Sequence, residues 1–358
     1  MKRRLVVAEI MVAVALSCVV LVWMSGVWPG WIGSLAARLD TTRPVGQYSI
    51  DVLDWGPFGR VMDINMAGQA AGTASTGRGE VYAAVWNDGE TLSCHKVEAN
   101  LLSSAVALSA DGTVAFNVRE LNQDGSWAYV QTPDGEVICL NDVLPETRSC
   151  SVEDMNAGGN AVGTVEVEGG ARHAFIWNAT DGMRLLDGSL SVALGISDHG
   201  IIVGLDRSRS AGGRPCAWVP VPDGGYSLIH LNEEGGVEGR AYAVNRQGVV
   251  VGRLEGPWPM RWDASTGLQV LPGLEALKAG WARDVNDLGD IVGCLTGFGG
   301  GRAVIWRNGR AHDLNDHIPQ ADQWHLMEAM AINNDGVIAC RTVFEDGLGV
   351  VLLIPRGS

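Results

Sequence analysis

The chain has 358 residues, of which 48 are glycine and only 19% are charged, a composition suited to many tight turns between short apolar strands and poorly suited to helices. Its formal charge of −15 repels phosphate backbones and argues against nucleic acid as a partner. The seven cysteines lack the close spacing of a zinc site or a redox pair, so sulfur-based metal chemistry is disfavoured and no cofactor is expected. Only Cys139 and Cys150 lie near one another, and they are the one candidate disulfide.

The N-terminus opens Met1-Lys2-Arg3-Arg4 and continues into 19 uncharged residues from Ile10 to Trp28, enough to cross a bilayer as a helix. The basic start keeps that end in the cytoplasm, and Trp23, Trp28 and Trp31 suit an interfacial belt, so the body is expected outside the cytoplasm. Ser34-Leu35-Ala36 offers a signal-peptidase site before Ala37; the length of the apolar run and the tryptophans favour an uncleaved anchor. Residues 1–36 are thus a membrane anchor or signal segment, and 37–47, with Thr41, Thr42, Pro44 and Gly46, a mobile linker.

From Tyr48 onward the chain repeats. An Asn or Ser followed three residues later by Gly recurs at Asn65, Ser109, Asn156, Ser197, Asn245, Asn286 and Asn333, at intervals of 41 to 48 residues. That period fits a unit of four short strands, and seven units make residues 48–358 an all-β, seven-bladed propeller preceded by one N-terminal helix. Each unit begins with a short strand of small residues, such as Val61 to Ile64 or Ala193 to Ile196, suited to the crowded axis. The Asn or Ser and Gly turn follows, because Asn and Gly tolerate positive φ and Ser bonds its own backbone.

The second strand ends in Gly at Gly72, Gly163, Gly204, Gly252 and Gly293, whereas Phe116 and Cys340 mark two divergent units. Trp86, Trp177, Trp218, Trp262 and Trp306 on the third strands are expected as buried plugs between sheets. Hairpin signals such as Asn87-Asp88-Gly89 and Asn308-Gly309 lead to the outer strands. Unit seven has no outer strand of its own after Val350 to Ile354, and Tyr48 to Leu53 is expected to complete it and close the ring.

Arg172-His173-Ala174-Phe175-Ile176-Trp177 and the preceding Asn-turn-Gly stretch resemble the bacterial HAF-repeat family over residues 60 to 354. The complete His-Ala-Phe triplet occurs once. The resemblance implies an exported bacterial repeat protein with no transferable activity or catalytic residues.

Asp63, Asp154 and Asp284 share one position, two residues before the repeat Asn. Three carboxylates at the axis are candidates for a hard cation; the simpler expectation is that each bonds its own turn or channel water. His312 and His317 flank a Leu-Asn-Asp framework shared with Leu140-Asn141-Asp142, and a spacing of five along a strand would send them to opposite faces. His173 matches Tyr82 and Arg302 in other units, which fits a polar-tipped structural position. No nucleophile elbow, zinc-helix motif or phosphate loop is present. The sequence therefore reads as a non-catalytic extracytoplasmic scaffold that offers its loops to a protein or glycan. The alternative is a propeller lyase or hydrolase using channel-mouth groups such as Asp63, Asp154, Asp284 and Arg283.

Overall fold

The computed structural model describes residues 43–356, apart from 77–79, 94–100, 121–124, 187–189, 233–235, 276, 298–299, 320–322 and 345–346. The expected membrane or signal segment lies outside the described residues, among which no helix is long and apolar enough to cross a membrane.

Seven four-stranded antiparallel sheets form the seven blades. Their inner strands run Arg60–Ile64, Leu101–Leu108, Thr147–Met155, Ser191–Ile196, Gly239–Val244, Ala279–Val285 and His325–Ile332, numbered here as blades 1 to 7. Tyr48–Leu53 pairs antiparallel with Gly347–Pro355, with Tyr48 opposite Pro355 and Leu53 opposite Val350, and so supplies the outer strand of blade 7. The first and last segments of the propeller are locked in one sheet, and the array has no open edge.

The Asn-turn-Gly unit has the same geometry in all seven blades. The Gly lies at φ between +77° and +88° in every case, a region where a side chain is strained, and its N–H donates to the carbonyl of the Asn or Ser three residues earlier. The buried Asn then does two jobs. Asn156 Oδ1 accepts the N–H groups of Gly158 and Asn160, and its Nδ2 donates across to the Ser197 carbonyl of the next blade at 3.1 Å. Asn65, Asn245, Asn286 and Asn333 repeat the interblade bond, to Ser109, Asn286, Asn333 and Asn65 respectively.

Serine is too short to span that gap, and other groups cover the two interruptions. Ala110 N–H donates to the Ala157 carbonyl between blades 2 and 3, and Arg246 pairs with Asp198 between blades 4 and 5.

A β-bulge interrupts every inner strand just before this turn, at Met62, Val106, Glu153, Leu194, Tyr242, Arg283 and Met330. The bulge explains the second glycine of the repeat: a Cβ on Gly72, Gly163, Gly204, Gly252 or Gly293 would run into the carbonyl oxygen of Arg60, Ser151, Val192, Arg240 or Trp281 on the bulged strand.

The repeated tryptophans are less uniform than expected. Trp177, Trp218 and Trp306 are buried, whereas Trp86 and Trp262 are only half-buried at the edge of their clusters. Cys139 and Cys150 are both unbridged, and burial pushes the Cys150 thiol up to about 12.

The end of the expected mobile linker is fixed. Arg43 pairs with Asp290, Arg307 donates to the Pro44 carbonyl at 2.9 Å and Asn308 Nδ2 to the Arg43 carbonyl at 2.8 Å, while Val45 packs on the blade 6 and 7 core. Residues 43–47 therefore belong to the propeller, because Asp290 and the Arg307 guanidinium, buried at 8% exposure, offer that segment charged partners.

Candidate functional site

Inner strands run from one mouth of the channel to the other, so each mouth has its own residue set. The Asn turns surround a narrow mouth with a cavity of about 180 Å³ that includes Asp63, Asp154, Asp284, Asp198, Asp287 and Arg246 in its wall. The starts of the inner strands, with the neighbouring loops of blades 1 to 4, surround a wide cavity of about 1260 Å³ at the other end.

The three repeat aspartates sit just past the bulges and clamp one blade to the next. Asp63 accepts the N–H of Ile64 at 2.7 Å and that of Leu108 in blade 2 at 2.8 Å. Asp154 does the same for Met155 and Ile196, and Asp284 for Val285 and Ile332. The position matching the aspartate in each receiving blade is Ala107, Gly195 or Ala331, small enough to admit the carboxylate. The expected bond to the local turn is thus half of the arrangement, and the interblade bond is the other half.

Burial pushes all three carboxyls up, and the backbone N–H bonds only partly oppose it. Asp63 rises to about 7, with the charge of Asp284 adding to the burial. Asp284 rises to about 6, and Asp154, which feels Asp63, is also raised well above the usual range. The three sense one another across the axis. Among the described residues, however, no three His, Cys, Asp or Glu side chains are grouped to hold a metal ion.

His312 and His317 do not point to opposite faces. Their rings meet edge to face at 6.1 Å, because the strand stops at Asp313 and the chain turns into a 3₁₀ helix over Leu314–His317, which ends the strand's alternation. Arg283, named for the enzyme alternative, is committed elsewhere: it pairs with Glu328 at 2.8 Å and lies over the Tyr242 and Trp281 rings.

The wide cavity was not foreseen from the sequence. Arg60, Arg119, Arg148, Arg172 and Arg207 all contribute to its wall, against only Glu153 and Glu166. Glu166 is bound to Arg172 at 2.9 Å, and enclosure pushes the Glu153 carboxyl up despite a bond from Ser151. The wall's neutral polar groups are largely occupied by structure: Asn117 holds both backbone groups of Val152 across blades 2 and 3, Ser103 Oγ accepts the Ala83 N–H, and Ser126 Oγ donates to the Cys150 carbonyl. Phe58, Met62, Val81 and Leu102 add an apolar side. Arg119 and Arg207 occupy one repeat position, ten residues past the Asn or Ser, which is the signal that could have revealed them.

No family model matches the chain, and no curated protein matches it. Solved structures do match the fold. The chain resembles a structure titled "YCF48 bound to D1 peptide" at 14% identity and TM-score 0.56, covering 88% of this chain and 99% of that one. It resembles a prolyl endopeptidase structure at 12% identity and TM-score 0.54, covering 92% of this chain but 53% of the other, so it spans about half of that enzyme. A virginiamycin B lyase from Staphylococcus aureus matches at 10% identity and TM-score 0.48, over 86% of this chain and 100% of that one. At these identities the two matches with TM-scores of 0.56 and 0.54 show a shared fold and nothing about chemistry.

Proposed function

We propose that this chain is a non-catalytic binding scaffold that holds a protein or glycan partner at the wide mouth of its propeller, outside the cytoplasm. The observation that carries this reading is the wide cavity itself: an open recess of about 1260 Å³ with arginines and apolar side chains in its wall, larger than typical small-molecule pockets and built by four successive blades. A propeller of similar fold is described as bound to a peptide, which fits such a use. The uncharged run from Ile10 to Trp28 after a basic start supports export and a membrane anchor, and the Arg172 to Trp177 motif supports membership of the HAF-repeat family. The enzyme alternative has less support, because Asp63, Asp154, Asp284 and Arg283 are all engaged in structural bonds.

A photo-crosslinking residue in place of Val81, in the cavity wall, tests the reading in the native cell, with Leu185 on the outer strand of blade 3 as control. A discrete adduct from position 81 and none from 185 is expected. Adducts of equal yield from both, or none from position 81, would contradict it.

A further inference from the structure

We infer that the wide cavity is a carboxylate-recognition site whose ligand is a short acidic peptide segment; the inference rests on the scaffold reading above and specifies its partner. The first observation is charge placed against the field of the protein. In a chain of formal charge −15, four arginines of one cavity, Arg60, Arg119, Arg148 and Arg207, have no carboxylate partner among the described residues. Guanidinium groups with no carboxylate partner among the described residues are donors available to an external anion, and their planar forks match carboxylate geometry.

The second observation is the contrast with the other half of the same channel. In blades 6 and 7, Arg283 and Arg341 converge on Glu328, which also accepts from Trp281 Nε1 at 2.6 Å, so each of these arginines has a carboxylate within the protein, and Arg283 also lies over the Trp281 and Tyr242 rings. Repeat architecture therefore does not require unpaired arginines at this depth. The third observation is unmet bonding capacity in the cavity wall: Arg207 Nε and Thr164 Oγ1 are shut off from solvent and have no hydrogen-bond partner among the described residues. A buried donor left open is costly unless a ligand completes it.

A peptide fits better than a long polyanion. The acidic body beyond the cavity repels extended polyanions, whereas a segment with a few carboxylates reaches the arginines and leaves the acidic surface behind. Beside the arginines, Phe58, 60% exposed, and Met62, Val81 and Leu102 offer an apolar strip for neighbouring aliphatic side chains.

The test is fluorescence anisotropy on the full chain in detergent, with a labelled peptide of glutamate, leucine and glycine and its glutamine counterpart as probes. The glutamate peptide is expected to bind, more weakly as salt rises, and the glutamine peptide to bind at least about tenfold more weakly. Arg119→Gln and Arg148→Gln alter exposed side chains that have no carboxylate partner among the described residues; each should lower affinity about tenfold with an unchanged urea midpoint, while Arg310→Gln on the outer strand of blade 6 should change nothing. Equal binding of both peptides, or undiminished binding by the double variant, would overturn the inference. Preference for an acidic oligosaccharide such as oligogalacturonate, lost in the same variants, would overturn the peptide assignment. A partner crosslinked at position 81 whose yield ignores both arginine substitutions would sink the carboxylate reading and leave the scaffold standing; loss of the crosslink in the parent chain would sink the scaffold.

Discussion

Asn333 Nδ2 donates to the backbone carbonyl of Asn65 at 3.1 Å, joining residues 268 positions apart across the seam between blades 7 and 1. The same side chain accepts the N–H groups of Asp335 and Val337, so one buried amide both shapes its own turn and closes the ring of interblade bonds. Together with the clamps of Asp63, Asp154 and Asp284, this belt ties neighbouring sheets into a common register at the narrow mouth.

Replacing Asn333 with Ala should destabilise the propeller by about 2 to 4 kcal/mol, because it removes the side-chain partner of three backbone groups, among them the buried Asn65 carbonyl. Asn333→Asp retains the acceptor but sets a carboxylate against the Asn65 carbonyl, and should recover little. Urea unfolding measures both; a shift equivalent to less than about 0.5 kcal/mol, the scale of ordinary surface substitutions, would show that the belt is incidental.

The two glycines of blade 3 should behave differently on replacement by Ala. At Gly159 a Cβ meets open space and the cost is the positive φ of 77°, about 1 kcal/mol. At Gly163 the Cβ strikes the Ser151 carbonyl at the bulge, so the strand must shift and the loss should reach about 1 to 3 kcal/mol or more. Equal losses in thermal unfolding would mean that the bulge is not rigid.

Tryptophan truncations sort by burial. Trp218→Ala removes a buried indole from between blades 3 and 4 and should cost about 3 to 5 kcal/mol, whereas half-buried Trp86→Ala should cost clearly less. Denaturant unfolding of the pair checks the order, and a reversed order would overturn the assigned packing.

The aspartate clamps set a pH dependence. Asp63 keeps its proton in the folded state up to about 7 and Asp284 up to about 6, against 3.8 for an ordinary aspartate. Between those values the folded state binds more protons than the unfolded one, so these groups favour folding at low pH and the contribution is lost as pH rises towards 7. The urea midpoint contributed by these sites should fall over that window, and Asp63→Ala should flatten the fall while lowering the midpoint throughout. An unchanged slope in the variant would remove Asp63 from the account.

Much of this fold is written at short range. Asn or Ser followed by Gly dictates a turn through local backbone geometry, and its recurrence, together with the orphan strand Tyr48 to Leu53, is enough to count blades and close the ring. The candidate aspartates were also visible, because they share a repeat position. Their function was not: the bond from Asp63 to the Leu108 N–H depends on the distance between neighbouring blades, which no local pattern encodes. The wide cavity was hidden for a different reason. Arg60 and Arg148 come from unrelated repeat positions on inner strands, while Arg119 lies near the end of one second strand and Arg207 just past another, and only the radial packing of blades 1 to 4 gathers them. Similarly, the spacing of His312 and His317 misled because a short 3₁₀ helix replaced the strand.

The claim that the wide mouth is the binding face is tested most directly by arginine modification with phenylglyoxal, mapped by peptide mass spectrometry with and without bound acidic peptide. The unliganded chain should be modified readily at Arg119 and Arg148, which are exposed, and slowly at Arg307, which is buried against Asp290. Bound peptide should protect Arg119 and Arg148 and leave exposed Arg310 as reactive as before. Protection spread evenly over the surface, or confined to Arg246 at the narrow mouth, would contradict the account.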